Sequence, residues 1–385
     1  MLVPAIALLA AALSLSEARE IADRRNGGLQ AAKAAVGASR AAVEAAGQLQ
    51  NPTLAMTYGP DDPRFTGALD IKLPILGQRG AAIGSAEAAA RITEAEVQVQ
   101  YNRLHAAVRR TYFAFWAATS QEEVSSNAAK IAAELARLSE ERYRTGGAPR
   151  LEVEQSALAM RRAEQEREDR AAEARAVHTE LNATLGIQVD AVDAPPPSDV
   201  PPESDLLAQA RKHPEVQSLQ AHEAAALARA DEERIAIRPL PIVSLIAERV
   251  TSGTPAYWGL RTGVAFDVPL LSWNRGRVHE QEQNARTAAV QAQAAMQRLT
   301  GQIQAARARW AAASARARFY LGEFIPSAAR VLEMAREGYR IGRTSLVAVL
   351  QAQSDLGAAR SRAIDAELET QKALADLEEA VGADL

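Results

Sequence analysis

Tyr143-Arg144-Thr145-Gly146 is a short segment that the chain repeats, slightly altered, as Tyr339-Arg340-Ile341-Gly342. The same interval relates a second pair of segments, Leu185-Gly186 and Val381-Gly382. A fixed interval between similar segments is the pattern left by a duplicated structural unit. The sequence therefore predicts that one unit is present twice in the 385 residues.

Prolines mark the boundary between the two predicted copies. Pro195-Pro196-Pro197 and Pro201-Pro202 lie near the middle of the chain, and proline interrupts both helices and strand ladders. We therefore predict a first structural repeat at residues 13–190, a proline-rich linker at 191–204 and a second repeat at 205–385.

The amino-terminal residues 1–12 are predicted to precede the folded part of the chain. They are largely apolar and end in Ala10-Ala11-Ala12, a run of small residues that suits signal cleavage. The segment is short and lacks a basic residue before its apolar part, so we interpret it as the remnant of a signal peptide. A buried first helical turn is the alternative interpretation.

Each copy contains two segments in which apolar side chains alternate with others, less clearly in residues 242–250, and this is the pattern of a β-strand with two different faces. The predicted strands cover about residues 52–58 and 65–74 in the first copy, and 242–250 and 257–269 in the second. Turn-forming residues join each pair, so each copy is expected to contain one hairpin. Strands of about nine to eleven residues can cross an outer membrane at a tilt.

The aromatic residues favour a membrane location for these hairpins. Tyr and Trp near strand ends form belts at the lipid–water interface. Four strands from one chain cannot close a barrel, and open edges are not tolerated in lipid, so the barrel must be shared among chains. A soluble sheet packed on a helix is the alternative. The aromatics in or beside the strands are Tyr58, Phe65, Tyr257, Trp258, Phe266 and Trp273.

Charged residues alternate with the apolar positions of the second strand in each hairpin. They are Asp70 and Lys72 in the first copy, and Arg261 and Asp267 in the second. In a shared barrel these four side chains are expected to face an aqueous lumen. A solvated face without selectivity is the simpler interpretation of their charge.

The remaining sequence predicts unusually long helices. Residues 78–144 contain no proline, and apolar residues recur at steps of three and four, as at Leu104, Val108 and Tyr112. This spacing is typical of coiled coils. In the second copy, Pro326 predicts a kink or break. The predicted fold class is mainly α, with long antiparallel coiled-coil helices and two small membrane hairpins.

Several kinds of chemistry have no counterpart in the sequence. The chain has no cysteine, and none of its five histidines lies three or four residues from another, so we predict no metal site. No phosphate-binding loop, nucleophile elbow or dinucleotide fingerprint occurs, so we predict no cofactor and no enzyme activity. The net charge of −4 is spread along the chain, and we expect no nucleic-acid partner.

Over essentially its whole length, the chain resembles the TolC-like outer membrane efflux proteins. Leu13-Ser14-Leu15-Ser16-Glu17-Ala18 resembles the family's mature start, and Asn51-Pro52-Thr53-Leu54 its entry into the first strand. The two Tyr-Arg-x-Gly segments resemble its periplasmic tips, where paired helices reverse. Within the family, the segment from Leu73 to Gly80 looks most like the branch that serves heavy-metal efflux.

The resemblance implies a homotrimer in the outer membrane, with a twelve-stranded barrel and an α-helical tunnel in the periplasm. It also implies a periplasmic adaptor protein and an inner-membrane pump, often of the resistance–nodulation–division type, which supply the exported substrate. The tips at residues 143–150 and 339–346 are then the adaptor contacts. The residues concerned are Tyr143, Arg144, Gly146, Gly147, Tyr339, Arg340, Gly342 and Arg343.

The resemblance is incomplete at the tunnel entrance. Family members often carry acidic residues six and nine positions after the second tip glycine, but this chain has Ala348 and Gln351 there. The first tip keeps Glu152, which we predict to be the entrance-gating residue. An ordinary charge on a helix surface is the alternative role for Glu152.

Other protein classes agree less well with the sequence. A periplasmic adaptor also contains long helical hairpins, but its single hairpin would interrupt compact β domains instead of alternating twice with membrane-length strands. A soluble coiled-coil protein would leave the alternating strands and the aromatic residues unexplained. We therefore predict an exit duct of a tripartite efflux system.

Overall fold

The computed structural model describes residues 12–196, 200–251, 255–267 and 273–385. Residues 1–11, most of the predicted signal remnant, lie outside the described residues. The described chain is mainly helical and contains one small antiparallel sheet, which confirms the predicted mainly α class.

The helices are numbered in chain order. They are α1 (Leu15–Arg25), α2 (Gly27–Ala46), α3 (Gln78–Arg144), α4 (Arg150–Leu185), α5 (Glu203–Ala210), α6 (Pro214–Ala236), α7 (Arg275–Phe319), α8 (Ile325–Arg340) and α9 (Leu346–Val381). The long proline-free segment of the first copy is thus one continuous helix of 67 residues.

The described residues contain no helix whose length and hydropathy would let it cross a membrane.

The elements group into two compact units, which we call the tip unit and the sheet unit. The tip unit comprises the residues up to Gln30 together with Gln100–His213 and Arg298–Leu385. The sheet unit comprises Ala31–Val99 and Pro214–Gln297. Each unit draws on both halves of the chain, so the compact units are not the two predicted repeats.

The sheet unit contains four strands, β1 (Thr53–Tyr58), β2 (Phe65–Lys72), β3 (Leu240–Val250) and β4 (Tyr257–Asp267). They lie in the order β1-β2-β3-β4, and every neighbouring pair is antiparallel. The two hairpins are therefore joined through β2 and β3, and β1 and β4 are the edges of the sheet.

The strand ends differ slightly from the predicted ones. β3 begins at Leu240, two residues earlier than predicted, because Pro241 lies in the ladder and accepts a hydrogen bond of 2.9 Å from the Leu73 backbone N–H. β2 ends at Lys72, just before Leu73 and Pro74, since proline cannot donate to a ladder. Residues 268 and 269 of the predicted fourth strand lie outside the described residues.

The break expected at Pro326 takes the form of a π-helical segment, Tyr320–Phe324, between α7 and α8. α8 then starts at Ile325, which places Pro326 in its first turn. A proline in the first helical turn costs no intrahelical hydrogen bond, because the N–H groups there have no partner within the helix.

The tip unit packs its helices through small and aliphatic side chains. One buried cluster surrounds Tyr339, which is fully buried, and includes Leu135, Leu332, Leu346 and Val349. Ser139 and Ser156 are buried opposite each other on α3 and α4, with their Oγ atoms 2.5 Å apart. Small residues on these faces allow close helix packing.

Candidate functional site

Both Tyr-Arg-x-Gly segments lie where one helix ends and the next begins. In the first tip, Gly146 has a φ of 75° and the Gly147 N–H donates to the Arg142 carbonyl at 2.7 Å. In the second tip, Gly342 has a φ of 78° and the Arg343 N–H donates to the Gly338 carbonyl at 2.8 Å. The two segments therefore form the same left-handed reversal, which glycine adopts without strain.

The two predicted tip tyrosines have different surroundings. Tyr143 is 42% exposed, whereas Tyr339 is fully buried. The Tyr339 hydroxyl donates a hydrogen bond of 3.0 Å to Glu152 Oε2 on α4. Burial, followed by this contact with the Glu152 carboxylate, raises the pKa of Tyr339 above its usual value. Tyr339 therefore joins the second tip to the first.

Arg142 completes this connection, although sequence reasoning did not select it. Its guanidinium carbon lies 4.4 Å from the centre of the Tyr339 ring, a cation–π distance. The same side chain donates to the Tyr339 carbonyl at 3.1 Å and to the Gly147 carbonyl at 2.8 Å. We call Arg142, Glu152 and Tyr339 the tip latch. The one sequence signal for Arg142 is its position directly before Tyr143 of the repeated segment.

The other arginines that the sequence predicts at the tips do not take part in the latch. Arg144 forms an ion pair with Glu140 at 3.0 Å, and Arg340 pairs with Glu337 at 2.9 Å. Both are exposed pairs within one helix, which contribute little to stability. Arg343 is also exposed.

Gly338 is a second tip residue that sequence reasoning missed. Gly338→Ala is expected to destabilise the tip unit by about 1–3 kcal/mol through overpacking. The added Cβ would lie 2.2 Å from Thr344 Oγ1 and 3.1 Å from Thr344 Cβ. Thermal unfolding of the purified protein measures the effect. In the control Gly357→Ala the new Cβ meets nothing within 4 Å, and equal unfolding temperatures for both variants would contradict the prediction.

The predicted lumen residues lie on the sheet. Asp70 on β2 accepts a hydrogen bond of 2.5 Å from the Ser244 hydroxyl on β3. Arg261 on β4 pairs with the largely buried Glu248 on β3 at 2.6 Å. Asp70 lies directly opposite Ser244, and Arg261 lies diagonally opposite Glu248. These charged side chains therefore share one face of the sheet. Lys72 is exposed at the end of β2.

Asp267, the fourth predicted lumen residue, lies at the end of β4 opposite Leu240. Its side chain lies outside what the structure describes.

The opposite face of the sheet is apolar and uncovered. On β4, Leu260 is 69% exposed and Val264 is 63% exposed, although leucine and valine normally avoid water. The exposed apolar side chains of β1 extend this face. We call it the apolar sheet face; its most exposed members are Leu54, Met56, Tyr58, Trp258, Leu260, Val264 and Phe266.

Aromatic residues lie at both ends of the apolar sheet face. Near the hairpin turns, Phe65 and Trp258 meet edge to face with their ring centres 5.8 Å apart. Phe266 lies near the other end of β4 and is more than half exposed. Phe266 lies eight positions after Trp258, which corresponds to about 27 Å along the strand at ~3.4 Å per residue. An apolar band about 25 Å tall between aromatic belts is typical of outer-membrane strands.

The tip unit also contains a buried ion cluster that the sequence did not reveal. Glu378 accepts hydrogen bonds from Arg109 and, at 2.6 Å, from Arg19. His105 lies between two carboxylates, 3.1 Å from Asp23 and 3.1 Å from Asp384. Burial works to lower the pKa of His105, but hydrogen bonds and attraction to Asp384 and Asp23 outweigh burial and raise it. The cluster thus neutralises its own buried charges.

In the part of the chain that the structure describes, His, Asp and Glu side chains form no group able to hold a metal ion.

Most of this chain matches known proteins in sequence pattern and in fold. Residues 18–186 and 206–383 match the model of the family described as outer membrane efflux protein. A search of the curated proteins finds no match.

Solved structures with the same fold cover 96% of this chain. One of them is CusC, whose structures were described in connection with folding and transmembrane channel formation. Its sequence is 18% identical to this chain, the match covers 92% of its length, and the TM-score is 0.77. The outer membrane protein VceC of Vibrio cholerae is 16% identical, with 96% covered and a TM-score of 0.75. The outer membrane channel CmeC of Campylobacter jejuni is 16% identical, with 85% covered and a TM-score of 0.75. At these identities the likeness shows the fold.

Proposed function

The chain belongs to the outer membrane efflux protein family, and on that premise we propose that three copies form the exit duct of a tripartite efflux system. The apolar sheet face is the observation that carries this proposal. A sheet that exposes leucine, valine and tryptophan on one face and pairs its charges on the other suits a wall between lipid and water.

Three copies of the sheet are proposed to close one barrel of twelve strands. β1 and β4 each leave one edge unpaired within the described sheet, and open edges are not tolerated in lipid. Pairing β4 of one copy with β1 of the next would remove both edges. Asp70, Lys72, Arg261 and Asp267 would then face the aqueous lumen.

The helical tips are proposed to contact a periplasmic adaptor. Apolar side chains near both reversals support a partner there, because Leu151, Ile341 and Val347 are each more than half exposed. The main predicted contacts are Gly146 and Gly342, where a reversal leaves backbone accessible. An inner-membrane pump, such as one of the resistance–nodulation–division type, would provide the energy, and the duct itself would conduct passively.

Transported material is proposed to be metal ions or drugs. The likeness of residues 73–80 to the heavy-metal branch remains a prediction. The family consists of channel and transport proteins, and we propose that this chain likewise catalyses no reaction.

The tip latch is proposed to hold the entrance, with Glu152 as the gating residue. Tyr339→Phe is expected to increase the fraction of time that a purified channel conducts in a planar bilayer. The change removes the 3.0 Å hydrogen bond to Glu152 but keeps the ring beneath Arg142. A hydrogen bond to a charged group contributes about 1.5–3 kcal/mol, or roughly tenfold or more in the gating equilibrium.

Tyr143→Phe is the matched control, because Tyr143 is the exposed tyrosine of the other tip. It is expected to conduct like the unaltered channel. Identical conductance of both variants would contradict a gating role for the Tyr339 hydroxyl.

One experiment tests the duct itself. The chain is expressed with a full signal peptide, outer membranes are isolated, and the number of protomers is measured by light scattering in detergent. We expect a membrane-extracted trimer. A soluble monomer or dimer would contradict the shared barrel and favour an adaptor or a structural coiled coil.

A further inference from the structure

The tip unit contains an open cavity of about 510 Å³ that the proposed duct does not require. Ligand sites for small molecules occupy about 300–1,000 Å³, so the volume suits an organic molecule. Trp116 from α3 and Ile325 from the start of α8 contribute apolar wall. Leu321, in the π-helical segment, also lines the cavity. π-Helical segments inside α-helices occur frequently at functional sites.

Charged side chains around the cavity are predominantly acidic. Glu367 on α9 lines it and is partly buried, while Glu123 on α3 is exposed. Arg360 also lines the cavity, but it lies seven residues before Glu367 on α9, about 10 Å away along the helix at ~1.5 Å per residue. The lining therefore carries one more negative than positive charge.

Glu367 makes no ion pair or hydrogen bond with another side chain in the part of the chain that the structure describes. Burial alone accounts for the raised pKa of Glu367, with no charged neighbour contributing. A partly buried carboxylate without a partner is unfavourable, and a bound cation would relieve that cost.

We propose that this cavity binds a hydrophobic organic cation, with Glu367 as its counter-ion and Trp116 beside its apolar part. The indole ring adds cation–π attraction, which is strongest for tryptophan. The ligand class follows from the cavity: an apolar body fits the walls, and a single positive charge balances the lining. The site goes beyond the conducting role of the duct, and its lining comes from a single chain.

Calorimetric titration of the purified full chain with benzyltrimethylammonium tests the proposal. This probe combines an aromatic ring with a permanent charge. We expect saturable binding of one probe per chain, and no binding of the anion benzenesulfonate. Glu367→Gln, which keeps the shape and removes the charge, should weaken binding about tenfold or more, equivalent to ~1.4 kcal/mol for each factor of ten.

Glu369→Gln is the matched control on the same helix. Glu369 is exposed and pairs with Lys372 at 3.1 Å, so its removal should change affinity by less than about twofold. Ile325→Trp tests the cavity in a second way. The larger side chain should fill the cavity and block probe binding, although Glu367 is still present. Circular dichroism shows whether each variant is folded.

Three results would overturn the proposal: no saturable binding, equal affinity of Glu367→Gln and the unaltered protein, or undiminished binding to Ile325→Trp. If the unaltered protein binds no probe and the Glu367→Gln variant no longer forms a trimer, a neighbouring copy occupies the cavity instead of a ligand. Light scattering on the same sample measures the number of protomers and so tests the proposed duct independently. A failure of the cation site can therefore be told apart from a failure of the duct.

Discussion

Val264→Arg is expected to remove most of the protein from the outer membrane. Val264 is 63% exposed and lies on the apolar sheet face, close to the middle of β4. Arginine near the bilayer midplane of a barrel costs about 2–4 kcal/mol. A trimer carries the change three times, so the total penalty is comparable to the stability of a folded domain, about 5–15 kcal/mol.

The measurement is the amount of trimer extracted from purified outer membranes. Ala265→Arg is the control, because Ala265 is the next residue of the same strand and points to the opposite face. In the proposed barrel this arginine would enter the aqueous lumen, on the sheet face that carries Arg261, and assembly should be nearly normal. Equal loss of both variants would mean that the sheet does not separate lipid from water.

Gly146→Leu and Gly342→Leu are expected to abolish export while the amount of outer-membrane trimer stays unchanged. The φ angles of 75° and 78° place both residues in the left-handed region, where a non-glycine residue costs about 1–2 kcal/mol. A Cβ on Gly146 would meet nothing within 4 Å, so no internal clash contributes there. A leucine would instead project where the adaptor is proposed to pack.

Export is measured as survival of cells on a pump substrate, with the trimer quantified in parallel. Gly146→Asn separates the two causes, because asparagine tolerates the left-handed conformation. A folded Asn variant with reduced export would indicate adaptor contact. Unchanged export in the leucine variants would exclude a tip contact at these glycines.

Local patterns were sufficient to predict much of the fold. Alternation along β2 and β4 separated Leu260 and Val264 from Arg261, and the sheet register keeps that separation across strands. The absence of proline predicted the 67-residue helix, and Pro326 predicted the interruption after α7. These features depend on neighbours within one or two turns, which a single sequence contains.

The side-chain contacts of the tips and of the buried ion cluster were not predictable in the same way. Tyr143 and Tyr339 belong to similar segments, yet only Tyr339 is buried, because Arg142 and Glu152 converge on it from the other tip. Glu152 itself was selected through a family resemblance. Its partner across the two tips depends on packing between helices far apart in the chain.

The ion cluster has a consequence for the order of folding. Arg19 lies in the first described helix, while its partner Glu378 lies near the end of the last helix. Contacts between such distant positions slow folding, because a long loop must close before they form. As an exported chain emerges amino terminus first, α1 must wait, with Arg19 unpaired by Glu378, until α9 has crossed the inner membrane. α1 is therefore the first described helix to emerge, yet it is among the last to complete its contacts.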